Sequence, residues 1–285
     1  LAQAFKEAGF KLALVGGPVR DAILGRLGND LDFTTDARPQ ETKKILKVWA
    51  EDVWDIGIEF GTIAGKRGDT TVEITTYRSD KYDPESRKPE VEFGDNIQGD
   101  LSRRDFTVNA MALELTGAKP EFIDAFNGLA DLSAKVLRTP VTAEQSFSDD
   151  PLRMMRAARF AAQLNFDVSD DSLKAMHEMA ERINIISAER VRDELIKLLM
   201  SDNPRKGIAI LVATGLADLV LPEIPKLQLE IDEHHHHKDV YEHSLTVLDQ
   251  AIALEHRLGG KNLVNRLAAL LHDIGKPKTR ALIPG

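Results

Sequence analysis

The sequence predicts an α+β protein: a head of short strands and helices forming a mixed sheet to about residue 125, followed by a remainder built from helices. Three observations predict it. β-rich runs alternate with helical segments in the first part, amphipathic helical periods with short breaks take over from Asp149, and the composition is that of a globular chain, 42% hydrophobic and 29% charged. A length of 285 residues suits about two domains of ordinary size.

In order, Leu12–Val15, Leu31–Phe33, Thr62–Ala64 and Thr71–Thr76 read as strands, and Pro18–Leu24, Pro39–Trp49 and Leu101–Met111 as helices. Between the last strand and the run Val91–Phe93 lies Ser79–Pro89, rich in charge and carrying Pro84 and Pro89, which reads as a mobile loop. Helices are then expected at Asp150–Leu164, Ser169–Arg182, Ala188–Met200, Pro204–Ala213, Val240–Leu258 and Leu263–Leu271.

Composition excludes several chemistries. The chain has no cysteine, which removes disulfides, thiolate nucleophiles, iron–sulfur clusters and Cys-ligated zinc, so any metal must sit on His, Asp or Glu. No apolar run approaches the roughly 18 to 20 residues of a membrane span. Lys6 and Glu7 also break up the first ten residues, so neither a transmembrane helix nor a signal peptide is expected, and the expected location is the cytoplasm. With 37 basic and 46 acidic residues the net charge is -9, which taken alone argues mildly against a nucleic-acid partner. The chain opens at Leu1 without a methionine and stops at Gly285, and reads as part of a longer protein.

The first chemical signal is Val15-Gly16-Gly17-Pro18-Val19-Arg20-Asp21, where a strand runs into two glycines and a helix starts with proline at its first position. Glycines let backbone approach a ligand closely and a helix N-terminus offers free N–H groups, which suits a phosphate. A tight turn that needs only positive φ is the other reading, and both stay open on this motif alone. The second signal is Asp30 and Asp32, two apart on a strand and so on one face. Two adjacent carboxylates repel one another unless a cation sits between them, a pattern that is costly without metal and natural with Mg²⁺. The alternation in Thr71–Thr76 places Val72 and Ile74 on one face and Glu73 with Thr75 on the other, which makes Glu73 a candidate third carboxylate. A solvated turn after Gly28 and Asn29 explains the aspartates too, and an exposed strand position explains Glu73.

A Gly-Gly turn before a helix with an Asp-x-Asp on the following strand resembles the DNA polymerase beta-like nucleotidyltransferases. More closely, the sequence resembles the class II tRNA nucleotidyltransferases (CCA-adding enzymes) and bacterial poly(A) polymerases. The resemblance rests on the glycine motif, Asp30-Leu31-Asp32, Arg103-Arg104-Asp105-Phe106-Thr107-Val108-Asn109-Ala110, and Asp149-Asp150-Pro151-Leu152-Arg153-Met154-Met155-Arg156-Ala157-Ala158-Arg159-Phe160. In order and spacing these cover most of residues 10 to 200.

The later motifs also have a physical reading. Arg103, Arg104 and Asp105 are expected on an amphipathic helix, where an arginine can fork onto phosphate or ribose oxygens and the acid can accept a 2′-hydroxyl proton; a surface ion pair is the alternative. The resemblance makes this the ribose-sensing segment, with Arg104 the principal contact; Asn109 is expected to brace the site. Asp150 before Pro151 is a good N-cap, and Arg153 follows three residues on. An acceptor beside a donor fork can read the amino donor and ring-nitrogen acceptor that cytosine and adenine share and that uracil and guanine reverse. A capped helix with ion pairs explains the same residues if the helix stands alone. In the resembled family these positions act as a protein template, and Arg156 and Arg159 contact the triphosphate or the base. The family has Glu-Asp where this chain has Asp149-Asp150, and Asp149 is read as a helix-start charge. Ser187–Leu198, with Glu189, Arg190, Arg192, Asp193 and Glu194 around an apolar stripe, reads as structural.

His243, then His272-Asp273 with Lys276 following, resembles the start of an HD phosphohydrolase domain whose later metal-binding Asp would lie beyond Gly285, so hydrolysis is not predicted. His234–His237 read as a solvated loop able to bind metal adventitiously. The resemblance thus implies a polymerase beta-like nucleotidyltransferase head at 1–125, a helical nucleotide-selecting and RNA-binding domain at 126–228, and a partial HD domain at 229–285. It implies addition of C and A from CTP and ATP to the 3′ end of tRNA. Asp30 and Asp32 would hold two Mg²⁺ ions with Glu73 beside them, and Gly16, Gly17 and Arg20 would cradle phosphates. It also implies that the Ser79–Pro89 loop reorganises between C and A addition. The helical half would grip the tRNA acceptor end with salt-sensitive affinity. A poly(A), C-only or A-only enzyme shares every motif; an HD phosphohydrolase with a nucleotide-sensing front half and a non-catalytic RNA-binding module are the readings of other classes. Oligomeric state is not legible.

Overall fold

The computed structural model describes residues 1–56, 61–81, 90–94, 96–228, 231–232 and 238–279. They form two compact units, Leu1–Asp149 and Asp150–Gly285.

In the first unit, α1 (Ala2–Glu7) leads into β1 (Leu12–Val15), α2 (Gly17–Ile23), β2 (Asp30–Thr35), α3 (Pro39–Trp49), β3 (Asp52–Asp55), β4 (Thr62–Arg67) and β5 (Thr70–Thr76). A hairpin of β6 (Arg78–Lys81) and β7 (Glu90–Phe93) follows, then α4 (Ile97–Ser102), β8 (Ala112–Glu114), β9 (Glu121–Ile123), α5 (Gly128–Ala134) and α6 (Ala143–Asp149). The main sheet has seven strands in the order β3-β4-β5-β2-β1-β8-β9. It is mixed: β2 and β5 run parallel, whereas β1 pairs antiparallel with both β2 and β8. All four residues of β1 are apolar and buried, as a central strand covered on both faces requires.

β2 changes character along its length. Asp30 and Asp32 are exposed while Phe33, Thr34 and Thr35 are buried. The buried hydroxyls are satisfied: Thr34 Oγ1 donates to Thr75 O (3.1 Å), Thr35 Oγ1 to Lys11 O (2.6 Å), and Thr76 Oγ1, on the neighbouring strand, to Ala37 O (2.7 Å). These bonds hold the inner end of the strand and leave its outer end to present carboxylates.

The four strands and two of the three head helices expected from the sequence are present, with ends within about two residues of expectation at most boundaries. The helix expected over Leu101–Met111 is not formed. α4 starts earlier, capped by Asn96, whose Oδ1 accepts from Gly99 N (2.7 Å), and stops at Ser102. Asp105 Oδ1 then accepts from Phe106 N (2.8 Å), a local side-chain bond that competes with the helical ladder, and Phe106 turns extended. One 3₁₀ turn, Thr107–Asn109, carries the chain into β8. Leu101, fully buried, joins Ala13, Val15, Ala110 and Ala112 in one core cluster, which sets the end of α4 against β1. Ser79–Lys81, expected as the start of a loop, belongs to β6; residues 82–89 of that segment, and His234–His237, lie outside the described residues.

The second unit contains α7 (Leu152–Leu164), α8 (Asp170–Glu178), α9 (Ala188–Leu199), α10 (Pro204–Ala213), α11 (Leu216–Val220), α12 (Val240–Ala253), α13 (Leu263–Leu271) and α14 (Lys276–Thr279). α7 packs on α9 and α10, and α13 on α9 and α12. Two helices expected as single pieces each end in a separate 3₁₀ segment, Ala180–Ile185 after α8 and Glu255–Leu258 after α12, and a two-residue ribbon pairs Ile231–Asp232 with Lys238–Asp239. No helix among the described residues is long and apolar enough to cross a membrane.

Candidate active site

The turn between β1 and α2 places Gly16 at φ +73°, a conformation that disfavours any other residue. It also makes room. A Cβ on Gly16 would lie 2.9 Å from Arg104 Nη1, so the guanidinium rests where a side chain would be. The positive-φ turn is therefore real, and the space beside it is taken by an arginine that approaches from the end of α4.

Arg20, on the first turns of α2, is 7% exposed and held from two sides. Its Nε and Nη2 donate to the two oxygens of Asp21 (3.0 and 2.8 Å), and Nη1 donates to Asn109 Oδ1 (2.6 Å). Asn109 Nδ2 in turn donates to Asp105 Oδ1 (3.0 Å), so the 3₁₀ turn after α4 is tied to α2 by a continuous buried network. Asn109 thus bridges Arg20 and Asp105.

Asp30 and Asp32 occupy one face of β2, and in the parallel pairing Asp32 stands opposite Glu73 of β5. Burial raises the Asp32 pKa; Arg104 pulls it back and Asp30 pushes it further up. Glu73 is raised by burial, then by Asp32 and Asp30. Both carboxyls keep some accessible surface, so the desolvation is that of a walled, open site. Neighbouring carboxylates that offer only oxygen donors fit a hard divalent cation, which Asp30 and Asp32 would hold. Glu73 does not close the set: among the described residues only His243, His272 and Asp273 bring three ligand atoms within 4.8 Å of one another.

Asp100, on α4, is a residue that none of the sequence motifs singles out. It is fully buried, and burial alone would raise its pKa, but Arg103 and Arg104 together hold it below the usual carboxylate range. Arg103 donates to Oδ1 through Nη2 (2.6 Å) and Nε (3.1 Å), and Arg104 Nη2 donates to Oδ2 (3.1 Å). The available signal was spacing: an aspartate three and four residues before two arginines can reach both at the end of a helix.

In the second unit the N-cap of α7 is Pro151 rather than the expected Asp150; Asp150, one residue earlier, accepts from Leu152 N through Oδ1 (3.1 Å), while its Oδ2 lies 3.5 Å from Arg190 Nη2 on α9. Arg153 follows on the first turn, buried. Arg156 and Arg159, one turn apart, both meet the buried Glu194 of α9, at 3.8 and 2.5 Å, and Arg159 lies over the Phe160 ring, 3.9 Å from its centroid. Arg159 Nη1 also donates to Gln163 Oε1 (3.0 Å). Glu194, which the sequence reads as part of a structural stripe, has partners on another helix that no local signal shows.

The His–Asp cluster is assembled by α12 and the end of α13. Asp273 Oδ2 lies 3.1 Å from His272 Nε2, 3.9 Å from His243 Nε2 and 2.9 Å from Lys276 Nζ, yet among the described residues it has no hydrogen-bond partner of good geometry. His272 Nδ1 is 2.8 Å from Ala269 O; with the proton on Nδ1, the Nε2 lone pair faces the cluster. The set fits a divalent metal.

The family model described as "Poly A polymerase head domain" matches residues 12–138, "Probable RNA and SrmB- binding site of polymerase A" matches 165–227, and "HD domain" matches 240–283. The chain is 42% identical over 232 residues to a CCA-adding enzyme of Streptococcus mutans, covering 81% of this chain and 55% of that protein. To the CCA-adding enzyme of Streptococcus thermophilus it is 44% identical over 213 residues, covering 74% and 51%. Among solved structures it is similar to the Bacillus stearothermophilus CCA-adding enzyme in complex with CTP, at 30% identity and a TM-score of 0.72 over 94% of this chain and 64% of that one. It is also similar to a tRNA nucleotidyltransferase complexed with a primer tRNA and an incoming ATP analog, at 27% identity and a TM-score of 0.73 over 95% and 74%. The chain spans about half the length of the curated relatives it matches.

Proposed function

The chain belongs to the family of CCA-adding enzymes and poly(A) polymerases, and from that premise we propose that it adds C, C and A, from CTP and ATP, to the 3′ end of tRNA. The observation that carries the reading is the face shared by Asp30, Asp32 and Glu73, set in the same sheet as the strand that runs into the Gly16-Gly17 turn. Similar solved structures, one in complex with CTP and one with a primer tRNA and an incoming ATP analog, support the choice of substrates.

In this reading residues 1–125 are the nucleotidyltransferase head, 126–228 the nucleotide-selecting and RNA-binding part, and 229–285 a partial HD domain. Asp30 and Asp32 hold the metal, with Glu73 beside them. When bound, Mg²⁺ supplies Lewis acidity toward the RNA 3′-hydroxyl and charge neutralisation toward the triphosphate. The hydroxyl attacks the α-phosphate and pyrophosphate leaves. Gly17 offers backbone N–H at the start of α2, and Arg20, braced by Asp21 and Asn109, brings positive charge to the phosphates. Arg104 and Asp105 serve the ribose. Asp150 accepts from the amino group of C or A while Arg153 donates to the ring nitrogen, and Arg156 and Arg159 serve the triphosphate or base.

Incubation of the chain with tRNA lacking its 3′ end, Mg²⁺ and each labelled NTP tests the proposal. Incorporation of C followed by A supports it. Tails of A alone favour a poly(A) polymerase. Absence of incorporation together with phosphatase activity favours an HD phosphohydrolase, the second reading, which the His243–His272–Asp273 cluster supports.

A further inference from the structure

We propose that Asp100 is a positioning residue for nucleotide binding, fixing the Arg104 guanidinium over the bare Cα of Gly16 before nucleotide arrives. The inference deepens the nucleotidyltransferase reading and rests on it.

Asp100 has no solvent exposure, and its two oxygens are divided between successive arginines, Oδ1 taking Arg103 and Oδ2 taking Arg104. A carboxylate buried this completely cannot lose a partner cheaply, since the charge left behind has no water to turn to. Arg103 engages Oδ1, so if Arg104 swung away, Oδ2 would lose its charged partner. Arg104 is thereby held on one edge. Its Nη1 lies in the space Gly16 leaves open, and its buried Nε has no hydrogen-bond partner among the described residues. With Nη2 fixed on Asp100, Nη1 is held beside Gly16 in a set position from which a guanidinium can donate to an oxygen ligand. Fixing it in advance removes side-chain ordering from the cost of binding, so the gain belongs to affinity. The fit explains two residues together: Gly16 is bare where Arg104 lies, and Asp100 is charged and buried where Arg104 is anchored.

The test is a double-mutant cycle on the full chain, reading CTP dissociation constants with Mg²⁺ by calorimetry and KM and kcat for C incorporation. Asp100→Asn keeps the shape and removes the charge; CTP binding is expected to weaken about tenfold or more, the scale of a lost charge-assisted contact, with kcat changed by less than about threefold. Arg104→Met should weaken it at least as much, and Asp100→Asn in that background should add less than about a twofold further loss. Independent, multiplying effects would overturn the proposal, as would CTP affinity within about twofold of wild type in Asp100→Asn. If Asp100→Asn does not fold, Asp100→Glu keeps the charge but displaces it by a methylene; intermediate affinity is expected, and wild-type affinity overturns the positioning role. A wild-type chain that binds CTP but extends no tRNA defeats the functional reading and leaves the cycle decisive for Asp100. Absence of CTP binding defeats both.

Discussion

Asp32 stands opposite Glu73 in the parallel pairing of β2 and β5, and Asp30 lies two residues earlier on the same face. Burial raises the pKa of both Asp32 and Glu73, and repulsion from the neighbouring carboxylates adds to it. Arg104 offsets part of this at Asp32. Such an arrangement costs folding free energy in the absence of a cation, as sites built for function often do.

That cost predicts opposite signs for stability and activity at one position. Asp32→Asn should raise the metal-free melting temperature by roughly 2–4 °C, the shift that about 1 kcal/mol produces in a chain of this size. Magnesium should stabilise the wild type and have little effect on the variant. Asp32→Ala should abolish incorporation while leaving nucleotide binding measurable. Differential scanning fluorimetry with and without Mg²⁺, beside an incorporation assay, checks both; full activity in Asp32→Ala would count against the metal assignment.

Arg153 is buried on the first turn of α7, three residues after Asp150, whose Oδ1 accepts from Leu152 N. Its proposed task is to donate to the base, so Arg153→Ala should relax the choice among CTP, ATP, UTP and GTP by about tenfold or more while weakening triphosphate binding less. Competition assays with mixed nucleotides give the ratio directly, and unchanged discrimination would remove the template role.

Glu194 gathers Arg156 and Arg159 onto one buried carboxylate of α9. Glu194→Gln removes the charge and keeps the volume, leaving two arginines with a weaker acceptor. Loss of a buried charged partner costs about 3–5 kcal/mol when the other charge has no alternative. Here Gln163 and the Phe160 ring still engage Arg159, so a loss of about 1–3 kcal/mol in urea unfolding is expected. Nucleotide KM should rise as both guanidinium groups lose their fixed positions. An unchanged unfolding midpoint would show the pair to be energetically idle.

Local signals made much of this legible. Proline at the first helical position, glycines at a strand end and period-2 alternation around Glu73 rest on neighbours in sequence, and α2, α3 and β5 form where those signals lie. The segment after Ser102 was misread because apolar residues from Leu101 to Met111 suit a helix, whereas Asp105 turns its carboxylate onto Phe106 N and ends that option. The side chains that brace the candidate sites were harder to see. Arg20 meets Asn109 across 89 positions, and Glu194 meets arginines on a different helix, relationships that only the fold creates.

Arg266 of α13 is 1% exposed and donates through Nε and Nη2 to the two oxygens of Glu255 (2.7 and 2.6 Å), and through Nη1 to Leu199 O and Ser201 O (both 2.6 Å) at the end of α9. Glu255 also accepts from Asn262 N (3.0 Å). The hydrogen bonds from Arg266 lower the Glu255 pKa from 4.5 to about 2, against the opposing pull of burial. A carboxyl whose folded pKa is depressed contributes stability that is fully present above its unfolded value and is lost as pH falls through the folded one. The contribution should therefore be intact at pH 6, decline below about 4.5 and vanish near 2. Glu255→Gln should unfold in less urea at pH 6, by about 3–5 kcal/mol, the cost of stranding a buried arginine. The deficit relative to wild type should narrow between pH 5 and pH 2.5, because the wild type loses there what the variant never had. Equal pH slopes for the two proteins would show that the pair does not couple protonation to the folding of this unit.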